Sequence, residues 1–461
     1  MALGRRVEQQ RPLFVAADEL PKSDGHPFYR RLNELLAEAG FDRWIEELCR
    51  PYYAATMGRP SIPPGVFFRM MFVGFFEGIG ALRQIAWRCS DSLAVREFLG
   101  LALTQRAPDD SSLTVIRQRF PVELFEEVFR FMILVARKKK LLKGQKIAID
   151  ATNLEANAAM RSIVSREEGV SWRRYVKELA EKEGIAYASQ EDARRFDRHR
   201  GDKKVSNRNW VSPTDPDSWI ARMKDGRTHF AYKAEHAVDL ESEIIVAATL
   251  HPADQSDAKT LPDTLIRAQA NLELAGSETT VTELVADKGY HAAATLEWCD
   301  RIGVRTYIPE RMERRQRRWT DKPEAFQSAV YANRRRVGCA KGRRLQRLRS
   351  ERVERGFAHT YCSGGLRRMT VRGLEKSNKR YLLHIAGQNL AIVMRKLFGA
   401  GTPREWGAWS KWLRSAHQAL LAILAAVITA VRNIADRTRR TDHIDLATTR
   451  SSQITTFSEG S

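Results

Sequence analysis

The chain has 461 residues, more than a single hydrophobic core usually organises, so two or three domains are expected. Lys and Arg number 77 against 56 Asp and Glu, a formal net charge of +21 clustered at 311–318, 334–336 and 343–352, which favours a polyanionic partner over a merely soluble surface. Five cysteines, odd in number and never in a Cys-x-x-Cys pair, argue against a disulfide framework or a zinc site. The start lacks the apolar stretch of a secretion signal and the longest apolar run, 419–431, is well short of a membrane span, so no membrane partner and a cytoplasmic location are expected.

Residues 27–142 carry apolar side chains at three-to-four spacing, as in Leu32, Leu35 and Leu36 and again Ile45 and Leu48, with breaks at Pro51, Pro60, Pro63, Pro64 and Pro108. This predicts an all-helical N-terminal domain over 1–142. Within it, 74–99 reads as short helices separated by Gly80 and by Ser90-Asp91-Ser92, either a helix-turn-helix or, more simply, part of a helical bundle. Ser111 or Ser112 can cap a further helix whose Arg117 and Arg119 would form a basic face.

After Lys146 the period changes: Ile147, Ala148 and Ile149 form the short, continuous apolar segment of a central strand that ends in Asp150. Residues 159–227 are mostly polar and read as an inserted loop. Strand character returns over 228–238 and 244–250 as a hairpin, then come a helix at 257–274, a strand at 280–286, the turn Asp287-Lys-Gly-Tyr290, a helix at 292–302 and a strand at 304–308. Basic sequence over 309–342 is a second insertion before a helix at 343–361. Helices at 374–398 and 409–441 follow, the latter within a C-terminal segment 399–461 whose Ser/Thr-rich end reads as disordered. The expected class is α/β, a mixed sheet flanked by helices over 143–398, preceded by an all-α domain and followed by C-terminal helices.

Three carboxylates stand in distinct settings: Asp150 ends an apolar strand, Asp287 follows another, and Glu354 lies in Arg352-Val-Glu-Arg-Gly-Phe357. At the carboxyl edge of one sheet, with a helix delivering the Glu, they would make an oxygen cage for a pair of divalent ions acting on a phosphodiester. Taken singly, each has a plainer reading. Asp150 can cap the turn into Thr152-Asn153, Asp287 can be a turn residue, and Glu354 can be a solvated carboxylate paired with nearby arginines. Helical geometry prefers Glu354 to Glu351: at about 100° per residue, Glu354 lies about 60° from the centre of the stripe Val353, Phe357 and Tyr361, and Glu351 about twice as far. Leu345 and Leu348 do not extend that stripe, which suggests a later helix start. Candidate phosphate contacts are Lys288 beside Asp287, and Arg334, Arg335, Arg336, Arg343, Arg344, Arg347, Arg352 and Arg355 in the basic run. Trp298, Trp319 and Tyr331 read as packing before base stacking, and His229, His236 and His251 match no zinc spacing and read as structural.

Taken together these segments resemble bacterial insertion-sequence transposases of the DDE superfamily. In the N-terminal part the resemblance rests on Gly58-Arg-Pro-Ser-Ile-Pro-Pro64, Ile85-Ala-Trp-Arg88 and Ser112-Leu-Thr-Val-Ile-Arg117. In the remainder it rests on Ile149-Asp-Ala-Thr-Asn153, Ala231-Tyr-Lys-Ala-Glu-His236, Ala286-Asp-Lys-Gly-Tyr290 and Arg352-Val-Glu-Arg-Gly-Phe357. The resemblance implies a ribonuclease H-like domain with a catalytic, metal-holding triad at Asp150, Asp287 and Glu354, and Mg²⁺ as cofactor with Mn²⁺ as a substitute. It further implies double-stranded DNA as partner, both terminal inverted repeats and target, handled by a homodimer associated with the nucleoid. Many relatives carry a Tyr and an Arg at fixed distances before the Glu and a Lys after it. Here Ser350 stands four residues before Glu354 and Tyr361 seven after, leaving Arg347, Arg352 and Arg355 as the available substitutes. A stand-alone nuclease and a catalytically inactive DNA-binding protein are the competing readings.

Overall fold

The computed structural model describes residues 26–54, 61–167, 169–182, 189–199, 206–223, 226–311 and 318–407. The helix expected at 409–441, the chain start and the Ser/Thr-rich end lie outside the described residues. One compact unit runs to Pro403, and a second begins at Arg404.

Among the described residues seven α-helices precede the sheet: α1 (Pro27–Ala39), α2 (Phe41–Cys49), α3 (Pro64–Glu77), α4 (Leu82–Asp91), α5 (Leu93–Phe98), α6 (Asp110–Arg119) and α7 (Val122–Lys138). Gly40 and Gly78, at φ of 73° and 70°, end α1 and α3 in the left-handed conformation that glycine adopts without a Cβ penalty. Pro64 opens α3, where its missing N–H costs nothing. Of the two breaks expected within 74–99, one lies around Gly80 between α3 and α4, and the other falls at Ser92, whose hydroxyl accepts from the Val95 N–H and caps α5. The cap of α6 is Asp109, accepting from the Ser112 N–H at 2.7 Å, in place of Ser111 or Ser112. Of the two arginines on this helix, Arg119 is exposed over the Tyr53 ring and Arg117 is half-buried.

The sheet contains β1 (Lys146–Glu155), then, after the short pair β2 (Val164–Ser165) and β3 (Trp210–Val211), β4 (Trp219–Arg222), β5 (Thr228–Asp239), β6 (Ile245–Pro252), β7 (Glu283–Ala286) and β8 (Arg305–Tyr307). β1 is central, antiparallel to β5 and parallel to β7, and β7 is parallel to β8. The far edge of β5 is shared, its first residues pairing with β4 and the rest with β6. Residues 159–227 are therefore not simply a loop. They contribute the edge strand β4 and two helices, α8 (Trp172–Lys182) and α9 (Gln190–His199).

The remaining helices are α10 (Asp257–Leu274), α11 (Ala293–Arg301), α12 (Glu324–Gly338), α13 (Ala340–Ala358) and α14 (Leu374–Phe398). α12 fills the second expected insertion, and α13 begins before residue 343, not after it, because Leu345 is buried and extends the packed face. α14 is buried on nearly every side from Arg380 to Met394 and is the hub of the unit, touching α3, α7 and β6. Two buried asparagines extend the sheet from helices. Asn389 on α14 accepts from the N–H of Ile245 and donates to its carbonyl, both at 2.9 Å, and Asn333 on α12 does the same for Ile308 at 3.0 and 2.7 Å. Each satisfies backbone groups that pairing would otherwise leave open.

Candidate active site

Directly opposed strand residues point to the same face, so Asp150 and its register partner His236 share one face, and Ala151 and Glu235 share the other. The Asp150 face is covered by α13, whose Phe357 stacks on His236 with ring centroids 4.1 Å apart. The Glu235 face is covered by α10, whose Thr260 and Thr264 hydroxyls donate to the Glu235 carboxylate. Both faces meet at a cleft of about 1170 Å³ lined by Asp150, Asp257, Asp287, Glu351 and Glu354 together with Lys233, Arg222, Arg311, Arg349, Arg355 and Arg367.

All three sequence-predicted carboxylates thus lie along one cleft. Asp150, half-buried, accepts from the Ala151 N–H at 2.8 Å and pairs with Arg349 at 2.7 Å. Asp287 follows the last residue of β7 and accepts from the Lys288 N–H at 2.5 Å, which opens a single 3₁₀ turn. Glu354 is exposed on α13 and within 3.4 Å of the Ser350 hydroxyl. Glu351 lines the same cleft but is 3.6 Å from Arg355.

The turn after Asp287 is anchored by contacts that explain its composition. The buried Tyr290 hydroxyl donates to Glu235 at 2.7 Å, pinning the turn to β5. Lys233, two residues before Glu235 on the same strand face, pairs with Asp257 at 2.7 Å and donates to Thr260 at 2.9 Å. Gly289 sits against the Asp257 carboxylate, so closely that a Cβ there would overlap its oxygen. Gly289→Ala is expected to push Asp257 off Lys233 and lower stability by about 1–3 kcal/mol, read from the denaturant midpoint. An unchanged midpoint would remove the packing reason for this glycine.

The predicted phosphate contacts divide. Arg336 donates to the Thr306 carbonyl, Arg352 to those of Leu240 and Glu241, and Arg343 to that of Gly338, so these three bind the protein's own backbone. Arg334 pairs with Glu310 at 2.9 Å and Arg355 with Glu243 at 2.7 Å. Lys288, Arg335, Arg344 and Arg347 are exposed, the last two on the α13 stripe that continues to Glu351 and Glu354. Trp319 and Tyr331 pack on each other with centroids 6.0 Å apart. Sequence reasoning alone does not single out Arg349, Asp257 or Lys233. The signal for Arg349 is its four-residue spacing between Leu345 and Val353, which puts a cation inside an apolar stripe.

The order β6-β5-β1-β7-β8, with the first pairings antiparallel and the last two parallel, is the ribonuclease H-like arrangement, with acids at the ends of the central strand and its neighbour and on a helix across from them. The chain belongs to the transposase DDE domain family, whose model matches residues 143–390, while a transposase domain (DUF772) matches residues 15–119. No curated protein and no solved structure matches the chain. Membership makes this a DNA-binding transposase of a family that uses a divalent metal. The donor chemistry fits such an ion, since the cleft offers carboxylate oxygens and no thiol or imidazole in their place beyond the exposed Cys362. Among the described residues no three acidic, His or Cys side chains are gathered closely enough to hold an ion as they stand; Asp150 is engaged by Arg349 and Glu354 by Ser350. No single helix among the described residues is long and apolar enough to cross a membrane.

Proposed function

We propose that the protein cleaves phosphodiesters at the ends of a transposable element and joins the freed 3′-hydroxyls to target DNA. The observation that carries this reading is the convergence of Asp150, Asp287 and Glu354, from a central strand, its parallel neighbour and α13, on one cleft. Asp150 and Asp287 would hold Mg²⁺, with Mn²⁺ as substitute, and Glu354 on its exposed rotamer would complete the site. The chemistry a bound ion supplies is Lewis-acid activation of the attacking water or 3′-hydroxyl and charge neutralisation at the leaving oxygen. Arg344 and Arg347, about two turns and one turn before Glu351 on the exposed stripe, grip backbone phosphates and lead the strand into the cleft. Lys288 and Arg335 add phosphate contacts outside it. Arg334 and Arg355 contribute where a phosphate replaces their glutamate partners. A homodimer on DNA handles the two ends together.

The test is incubation of a labelled end fragment with Mg²⁺ and the variants Asp150→Ala, Asp287→Ala and Glu354→Ala. Each is expected to lose at least about 100-fold in cleavage, more than removing a hydrogen-bond partner of a metal ligand usually costs, while gel-shift binding persists. Full activity in any variant removes that residue from the triad. Cleavage without joined products identifies a nuclease instead.

A further inference from the structure

We propose that Arg349 is the built-in counterion of Asp150, competing with the divalent cation for that carboxylate and so setting how tightly the DNA-free protein takes up metal; this rests on the metal-ion reading of the cleft. One Asp150 oxygen accepts from the Ala151 N–H, and the other is held by Arg349 Nη1 at 2.7 Å. Arg349 is only 9% exposed, although it belongs to the most basic stretch of the chain. It is aimed by Gln346, whose Oε1 accepts from Arg349 Nε at 3.3 Å. The amide nitrogen of Gln346 donates to the carbonyls of Ala286 at 3.2 Å and Tyr307 at 2.5 Å, at the ends of β7 and β8. The guanidinium is therefore braced against the strand end that leads into Asp287.

A cation within coordinating reach of Asp150 would stand next to this guanidinium, and in a half-buried cleft two such charges repel strongly. Arginine cannot relieve the conflict by losing its proton. Metal uptake at Asp150 therefore requires Arg349 to leave its carboxylate. Until then Arg349 keeps that oxygen oriented and part of the acidic cluster neutralised. A purely structural ion pair would stabilise the fold and leave metal affinity alone, which separates the two roles.

The experiment measures Mn²⁺ binding to the full chain without DNA by titration calorimetry, for wild type, Arg349→Met, Arg349→Lys and Asp150→Asn, with circular dichroism as the check on folding. Arg349→Met is expected to bind Mn²⁺ about tenfold more tightly than wild type, within the usual range for linked sites. Arg349→Lys should fall between them, keeping the charge and losing the fork. A folded Arg349→Met variant of unchanged or weaker affinity, with binding still lost in Asp150→Asn, overturns the proposal and leaves Arg349 as a structural pair. If Arg349→Met does not fold, a folded Arg349→Lys variant with wild-type affinity overturns it. Wild-type Mn²⁺ binding by Asp150→Asn overturns the metal reading of the cleft instead.

Discussion

Glu235→Ala is expected to destabilise the protein by about 3–5 kcal/mol, seen as a lowered denaturant midpoint at neutral pH. Glu235 is fully buried, accepts from Thr260 at 2.8 Å, from Thr264 and from Tyr290 at 2.7 Å, and lies 3.5 Å from Lys233 and 3.7 Å from His251. Burial alone would push its carboxyl pKa up. The neighbouring His251 ring, the Lys233 charge and the hydroxyls outweigh that and hold it below the usual range. Truncation orphans these hydroxyls and leaves Lys233 with Asp257 as its remaining carboxylate partner. It also frees Tyr290, so the turn carrying Asp287 loses its anchor and cleavage should fall with stability. Glu235→Gln keeps the shape and some of the hydrogen bonds and should cost less. A loss under about 1 kcal/mol for the alanine variant would mean that the network relaxes around the gap, contrary to its burial. Because the folded pKa lies below the unfolded one, this contribution is present above the unfolded value and disappears as pH falls through the folded value.

How far the fold can be read from the chain depends on the strength of its local periods. The hairpin of β5 and β6, α10 and α14 stand close to their expected bounds, because each carries a run long enough to show its period. The region 159–227 does not. Its strands β2 and β3 have two residues each, and the buried residues of α8 are only Val176 and Ala180, so composition dominates pattern. α12 is hidden in the same way, its short buried set of Ala329, Val330 and Asn333 lying among arginines. In the cleft, the carboxylates are legible because apolar strands end at them. Lys233 and Glu235 are not, because two charges at alternate positions suggest a solvated strand face, whereas here that face is closed by α10 and the Tyr290 hydroxyl. The same charge density conceals which arginines turn inward: Arg336 and Arg352 bind carbonyls and Arg349 binds Asp150, and none of this follows from a count of cations.

Acid is expected to loosen the protein below pH 6.5 through two buried histidines, and His236→Phe should remove about half of that effect. His236 is held between Phe357 and Tyr381, with centroids 4.1 and 5.6 Å away, and burial pushes its pKa down to about 3. His384 on α14, its Nδ1 2.8 Å from the Arg380 carbonyl, is pushed to about 3 by burial and the neighbouring Arg380 charge. Both folded values lie below the unfolded value of 6.5, so between about pH 3 and 6.5 the unfolded chain binds more protons. Stability is full above that window and falls as pH drops through it, by ~2 kcal/mol per histidine at pH 5. Phenylalanine keeps the stack and removes the proton site, so unfolding midpoints across pH 5 to 7.5 should show a shallower slope than wild type, on the order of one proton fewer. The consequence reaches the cleft, because the ring of His236 is what Phe357 of α13 rests on, and α13 also carries Arg349 and Glu354. The ring takes up its proton only when α13 leaves the sheet, so that opening becomes easier as pH falls through the window, and cleavage should fall reversibly with it and persist to lower pH in His236→Phe. An identical pH slope in the two proteins would show that His236 finds a counter-charge or water when protonated, and the link between this stack and acid lability would be lost.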